Sequence, residues 1–354
     1  MARELPVFGT SAGGCHSHGS PELDRPLTIA MGGSVDASAA RTGADRKRHP
    51  EWIRAKLPTG DNYHELKGLV AGQTLNTVCE EAMCPNIGEC WEERTATVMI
   101  LGDTCTRACG FCAVKTGRPE WNDDDEPRRV AEAVAVMSLE HCVVTSVCRD
   151  DLADGGASIF AKTIRQMRRA SPGMGVEVLI PDYLGADLRR VMEAAPDILN
   201  HNVETVERLQ KPVRKRATYS RSLQVLEDAK RMALEIAGRP GSVHTKSSIM
   251  VGLGETRAEL SQTFRDLRAV DCDILTLGQY LRPTARHLPV ERYVHPDEFD
   301  EMKAEGLALG FKHVESGPLV RSSYHARDQV PEQAKRNRSA RAAALAANGL
   351  SAGA

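Results

Sequence analysis

Ten cysteines occur in 354 residues, and six of them fall between Cys79 and Cys112. They form two groups of three. Cys79, Cys84 and Cys90 are spaced C-x4-C-x5-C, and Cys105, Cys109 and Cys112 are spaced C-x3-C-x2-C. Soft thiolates at such spacing suit iron–sulfur clusters, zinc or copper(I). Each group supplies three ligands, one short of the four that a cubane or a structural zinc site takes. One metal corner is therefore left for something else. The competing readings are a structural zinc loop or a set of buried thiols. A disulfide framework fits poorly, because the chain is long and no secretory signal is recognised in it.

In the second group Gly110 permits a tight turn, and Phe111 stands just before the last cysteine. This pattern resembles the signature of radical S-adenosylmethionine (SAM) enzymes, in which the open iron of a 4Fe-4S cluster is chelated by the amino and carboxylate groups of SAM. The first group, with the internal PNIGEC (Pro85 to Cys90), narrows the resemblance to the lipoyl synthase family, in which it binds an auxiliary 4Fe-4S cluster. Further segments resemble the same family: Thr95 to Val114, RDDLADGGA (Arg149 to Ala157), NHNVETV (Asn200 to Val206), MVGLGET (Met250 to Thr256), GQYLRPT (Gly278 to Thr284), YVHPDEF (Tyr293 to Phe299) and GPLVRSSYHA (Gly317 to Ala326). The resemblance runs from about Gln73 to Ala326.

These residues need a scaffold, and the apolar patterning describes one. TVMIL (Thr97 to Leu101) is a short buried strand that leads directly into Cys105. Active-site loops stand at the C-terminal ends of strands in parallel α/β barrels. Pro127 opens a helix to about Met137, and strands and helices then alternate. Strands are expected at His141–Val147, Val176–Ile180, Ile198–Asn202, His244–Gly252 and Ile274–Tyr280. Helices are expected at Ala157–Ala170, Ala186–Ala195, Ser220–Leu234, Thr256–Val270 and from Pro296, with HVESG (His313 to Gly317) as an edge strand. Six apolar strand–helix units imply a parallel sheet covered by helices, closed into a partial six-unit βα barrel of radical SAM type. Ahead of it, EWIRAKLP reads as a short amphipathic helix. Pro85 and Gly88 argue against any helix around the first cysteine group.

The chain is expected to divide into a disordered or loosely packed extension over 1–50, a segment with the auxiliary motif over 51–94, the barrel over 95–312 and a C-terminal segment over 313–354. The tail from Asp328 reads as a helix from Pro331 that frays through GLSAGA. A net charge of −2 creates no field that favours nucleic acid. No run of eighteen apolar residues suggests a membrane span, and clustered thiols suit a reducing cytoplasm.

Several candidate sites lie outside the cysteines. Gly155 and Gly156 are either a ligand-approach loop or a plain turn before a helix. The resemblance places them near the methionine end of SAM. Asn202 and Glu204 either bind polar groups of SAM or cap the next helix. In the stretch Gly252, Gly254 and Glu255 the third glycine of a dinucleotide fingerprint is absent, because position 257 is Arg. The resemblance places these residues against the nucleoside of SAM. In RSSY (Arg321 to Tyr324) it assigns Ser323 as the fourth ligand of the auxiliary cluster, with Arg321 beside it as part of the catalytic machinery. Serine oxygen is a harder and weaker ligand for iron than thiolate. Cys142 and Cys272 read as buried packing, Trp91 as core, and Cys148 stands where the family usually carries Asp.

The resemblance implies a sulfurtransferase with two 4Fe-4S clusters and SAM. One electron cleaves SAM to a 5′-deoxyadenosyl radical, and sulfur from the auxiliary cluster is inserted at C6 and C8 of an octanoyl-lysine. The implied partners are octanoylated lipoyl carrier domains (the 2-oxoacid dehydrogenase acyltransferase subunit and the glycine cleavage H-protein). An electron donor such as ferredoxin or flavodoxin and an iron–sulfur carrier complete the set. KPVRKR (Lys211 to Arg216) offers four cations, either as a docking patch for an acidic carrier domain or as a solvated loop. The alternatives are another sulfur-inserting radical SAM enzyme similar to biotin synthase, or a non-catalytic iron–sulfur electron carrier.

Overall fold

The structure, a computed structural model, describes residues 49–55, 60–72, 76–77, 84–120, 123–238, 241–330 and 339. The N-terminal extension up to residue 48, Cys79 and the tail beyond Val330, apart from Ser339, lie outside the described residues.

Seven parallel strands form one sheet. β2 (Thr95–Ile100), β5 (His141–Ser146), β6 (Gly175–Leu179), β7 (Ile198–Asn200), β8 (His244–Val251), β9 (Ile274–Gln279) and β10 (His313–Gly317) lie in chain order across it. The two-residue β1 (Asn76–Thr77) adds an antiparallel edge to β2. HVESG is thus a full seventh parallel strand, in register with β9 along its whole length. Between the strands run α3 (Glu126–Val136), α4 (Ala157–Ala170), α5 (Gly185–Glu193), α7 (Tyr219–Ala237), α8 (Arg257–Ala269) and α9 (Pro296–Ala308), with the four-residue α6 (Gln210–Val213) after β7. All β2 side chains are buried, as expected when helices cover a parallel sheet. Ala96, Val98 and Ile100 share a core with Val130 and Val134 of α3 and Ile159, Phe160, Ile164 and Met167 of α4. Each of these buried side chains larger than Ala96 contributes about 1.5–3 kcal/mol.

Two expectations ahead of the barrel are corrected. Glu51 and Trp52 form a turn, and the helix comes later, as α1 (Asp61–Gly72). Its buried face is Tyr63 and Leu66, with Leu69 half-buried, spaced three residues apart as a helix requires. Ile87–Glu92 is also a helix, α2, despite Gly88. Pro85 stays in the preceding turn, and burial of Cys90 and Trp91 overrides the weak propensity. Trp91 is fully buried, its ring tilted over Tyr63 at 5.6 Å. Among the described residues no helix is long and apolar enough to cross a membrane.

Candidate active site

The loop from Cys105 to Cys112 begins where β2 ends. Two features hold that end. The Leu101 amide donates to Glu126 Oε2 at 2.7 Å, and Arg149 donates to the Leu101 carbonyl at 3.3 Å. β3 (Thr104–Cys105) and β4 (Lys115–Thr116) pair in parallel and close the loop at its base. The Gly110 amide donates to the Val213 carbonyl at 2.9 Å, and the Leu288 amide to the Gly110 carbonyl at 3.0 Å. A Cβ at Gly110 would stand 2.8 Å from the Pro212 oxygen, so no larger residue fits. Phe111 packs with Val213, Leu253 and Tyr280. His287 Nε2 reaches the Cys112 carbonyl at 3.0 Å.

All three thiols are half-buried at the C-terminal end of the sheet. Cys148 joins them. β2 and β5 pair in parallel, Ile100 opposite Ser146, so the residues that follow both strands meet. The Cys105 sulfur accepts from the amides of Cys148 (3.3 Å) and Arg107 (3.4 Å). The Cys148 thiol holds the Cys105 thiol below its usual range, aided by those amides. Burial, the neighbouring Cys112 and Glu204 push Cys109 up to about 11. Burial also raises Cys112. Crowded thiols that resist ionising together fit a site meant for a cation. Arg107 anchors the loop to the ends of β5 and β6 by pairing with Asp150 (2.6 Å) and Asp182.

Asn202 and Glu204 lie past β7 on the same side. Asn202 Nδ2 donates to Glu204 Oε1 at 3.1 Å, and Asn202 Oδ1 is buried with no partner. Glu204 has φ +65° and bridges to Ile249. Burial raises its carboxyl, and the Arg214 guanidinium works against that shift. Both cysteines 109 and 112 sense the Glu204 charge. An orphaned carbonyl oxygen and a carboxylate beside an incomplete thiolate set fit an amino-acid-bearing ligand such as SAM. Arg214 is buried and donates to Ser222 Oγ at 2.8 Å. It therefore leaves the exposed patch in which KPVRKR placed it and belongs to this interior group, which the sequence did not signal.

The two glycine motifs are occupied by local work. Gly156 (φ +92°) starts α4, and a Cβ there would stand 2.2 Å from Leu101. Gly155 lies under Tyr183, whose hydroxyl donates to its carbonyl at 2.7 Å. Asp154 caps the turn through the amides of Gly156 and Ser158. The geometry thus favours the turn. Glu255 accepts from the amides of Gly252 (2.6 Å) and Leu253 (2.9 Å), and Arg208 donates to the Gly254 carbonyl at 2.9 Å, so Glu255 is committed to its own turn.

The second site forms at the start of β2. Cys84, Cys90, Arg321, Ser323, Thr95 and Thr97 line one cavity. Two hydrogen bonds fasten the C-terminal segment to α2: Asn86 Nδ2 to the Leu319 carbonyl at 2.6 Å, and the Tyr324 hydroxyl to Glu89 Oε2 at 3.1 Å. Burial raises the Cys84 thiol, and the charge of Arg321 opposes that rise. Thr95 Oγ1 is buried without a partner. Two thiols, a hydroxyl and a half-buried guanidinium fit a negatively charged iron–sulfur cluster. Cys142 and Cys272 are buried in the core, away from either group.

The family model described as Radical SAM superfamily matches residues 99–267, and the one described as N-terminal domain of lipoyl synthase of Radical_SAM family matches 28–84. The chain is 57% identical to the lipoyl synthase of Symbiobacterium thermophilum over 326 residues, covering 92% of this chain and 97% of that protein. It is 57% identical to the lipoyl synthase of Rubrobacter xylanophilus, covering 82% and 90%, and 55% identical to that of Halalkalibacterium halodurans, covering 84% and 97%. Among solved structures it is similar to methylornithine synthase, with 14% identity and a TM-score of 0.41 over 80% of this chain and 93% of that one. Identity at this level, along nearly the whole length of proteins that bear one name, means that the chain belongs to the lipoyl synthase family of radical SAM enzymes.

Proposed function

We propose that the protein inserts two sulfur atoms, at C6 and C8 of an octanoyl chain amide-linked to a lysine of a carrier domain, and draws them from an auxiliary cluster. The observation that carries this reading is that one strand joins the two thiol groups. Thr95 and Thr97 at the start of β2 line the cavity of Cys84, Cys90 and Ser323, and its far end leads into Cys105. Thr97 and Leu101 are four residues apart, on the order of 13 Å along a strand. A substrate chain held between the two groups can meet both.

When bound, a cluster with SAM at Cys105, Cys109 and Cys112 supplies hydrogen abstraction from unactivated carbon, and one at Cys84, Cys90 and Ser323 supplies sulfur. The protein positions and shields. Asn202 and Glu204 present an acceptor and a carboxylate to the amino-acid end of SAM. Phe111, packed on Val213 and Tyr280, keeps water from the loop. Ser323 offers a weak oxygen ligand at the corner to be dismantled, and Arg321 balances charge beside Cys84. Cys79 completes the auxiliary set in this reading. The carrier domain, an electron donor and an iron–sulfur carrier are the expected partners, in a reducing cytoplasm.

The test is anaerobic reconstitution with an octanoyl-lysyl peptide and SAM, followed by mass spectrometry. The dithiolated peptide is expected together with 5′-deoxyadenosine. SAM cleavage with no sulfur in the peptide would overturn the reading. Changing Cys105, Cys109 and Cys112 together to Ala is expected to halve bound iron and abolish SAM cleavage.

A further inference from the structure

The outer face of the cysteine loop is ringed by positive charge that the chemistry above does not use. Three stretches touch this loop. Thr116 Oγ1 donates to the Arg107 carbonyl at 3.3 Å, Gly110 bonds Val213, and Leu288 bonds Gly110. The stretches 113–118, 211–216 and 282–288 read AVKTGR, KPVRKR and RPTARHL. They contain eight Lys and Arg residues and no Asp or Glu. Arg214 is buried, and the other seven are exposed. The whole chain has a net charge of −2, so this face departs sharply from the average surface.

Carboxylates near this face are largely engaged. Asp103 pairs with Lys115 at 3.7 Å, and Asp150 is shared by Arg107 and Arg216. Lys211, Lys215, Arg118 and Arg286 make no ion pair among the described residues. A cavity of about 220 Å³ opens here, lined by Arg107, Ala108, Cys109, Thr116, Lys215 and Arg216. Cys109 thus borders both the interior group with Glu204 and this outer cavity, so a molecule seated here stands next to a sulfur of the loop.

We propose that this face docks an acidic one-electron carrier protein, which delivers its electron to the cluster held by Cys105, Cys109 and Cys112. The proposal rests on the function above, which consumes an electron from outside the chain. The carrier loses one electron and the cluster gains one, with no bond made or broken at the surface. Two occupants could answer to the charge, and the geometry favours the electron carrier. An acyl substrate has to reach the interior between the two thiol groups, whereas an electron needs only a short path to the cluster edge. Exposed charges of one sign raise association rates by about 10–10³-fold, and the gain fades with salt over a Debye length of about 10 Å at 0.1 M.

The test uses the full, reconstituted protein and its Lys211→Glu/Lys215→Glu variant, since neither lysine holds the loop. The probe is an acidic flavodoxin. Two quantities are measured at low and high salt: binding of oxidised flavodoxin to the reconstituted protein, and the stopped-flow rate of cluster reduction by reduced flavodoxin. The variant is expected to bind at least ten-fold more weakly and to be reduced at least ten-fold more slowly at low salt. High salt narrows both gaps, and reduction by photoreduced deazaflavin is unchanged. Equal binding and equal rates for the two proteins would overturn the proposal. So would a variant that accepts electrons normally from flavodoxin but, with deazaflavin as reductant, turns over a whole octanoylated carrier domain slowly; the face would then belong to the substrate. If wild-type protein fails to cleave SAM under deazaflavin, the functional reading falls, and with it the cluster-directed electron transfer, whatever the binding result.

Discussion

His201 carries an environment that a sequence does not announce. It is buried where Ile180, Ser222 and Arg214 converge. Its Nδ1 faces the Ile180 carbonyl at 3.0 Å and its Nε2 faces Ser222 Oγ at 3.1 Å. A carbonyl can only accept, so Nδ1 holds the proton and Nε2 accepts from the serine. Burial, with the nearby Arg214, pushes its pKa down to about 4. The folded state then stays unprotonated between pH 6.5 and 4, while the unfolded chain takes up a proton. Stability is therefore lost as pH falls through that window, by about 3 kcal/mol at one unit per 1.36 kcal/mol. The melting temperature of wild type is expected to drop more steeply from pH 7 to 4 than that of His201→Gln; parallel curves would show that His201 is not the cause. Ser323 carries the second prediction at this scale. Ser323→Ala is expected to keep SAM cleavage, since the other thiol group is untouched, and to lose most lipoyl product. Ser323→Cys is expected to hold iron more firmly and still insert less sulfur, because thiolate binds iron more strongly than an alcohol oxygen. Iron content, 5′-deoxyadenosine and thiolated peptide are measured together, and wild-type product from Ser323→Ala would make this serine a bystander.

At the scale of elements, short contacts decide where the site residues stand. α2 and the C-terminal segment meet through Asn86 and Tyr324, more than two hundred residues apart in sequence. One such hydrogen bond is worth about 1 kcal/mol. Tyr324→Phe together with Asn86→Ala is expected to lower iron bound at the auxiliary site while SAM cleavage persists. Iron analysis and 5′-deoxyadenosine read out the two sites separately. α4 offers a sharper case. Gly156→Ala places a Cβ against Leu101 at a φ of +92°, and a loss of about 1–3 kcal/mol in urea unfolding is expected. The barrel strands and helices were legible because their apolar periods are long. α2 was not, since its six residues include a glycine and follow a proline. α1 was legible in principle, from Tyr63, Leu66 and Leu69, but three apolar positions make a short period and a weak signal.

For the molecule as a whole, the sheet and its covering helices bury charge. Lys246 of β8 donates to Glu177 of β6 at 2.9 Å, and Asn200 of β7 donates to the same oxygen at 3.1 Å. Both charged residues are fully buried. Burial works against the Glu177 charge, and Lys246 and His141 overcome it, holding the carboxyl below its usual range. Lys246→Met leaves that buried carboxyl without its lysine partner and is expected to destabilise by about 3–5 kcal/mol. Lys246→Met with Glu177→Leu is expected to recover most of it. Denaturant melts of the three proteins check this, and a double variant as unstable as the single would refute the pairing argument. The sequence by itself determined the two thiol groups, their incomplete ligand sets, the alternation of strands and helices and the family, because these depend on residue type and local spacing. It did not determine that Cys148 lies against Cys105, that Arg214 turns inward, that Glu255 is spent on its own turn, or which contacts carry Ser323, assigned by the resemblance, to Cys84 and Cys90. Those follow from which strands are neighbours and in what register. β2 beside β5 carries Cys105 and Cys148 to one end, and packing of the segment after β10 onto α2 brings Ser323 home. Such neighbours are chosen by burial summed over the whole sheet, and no single stretch of sequence holds that sum.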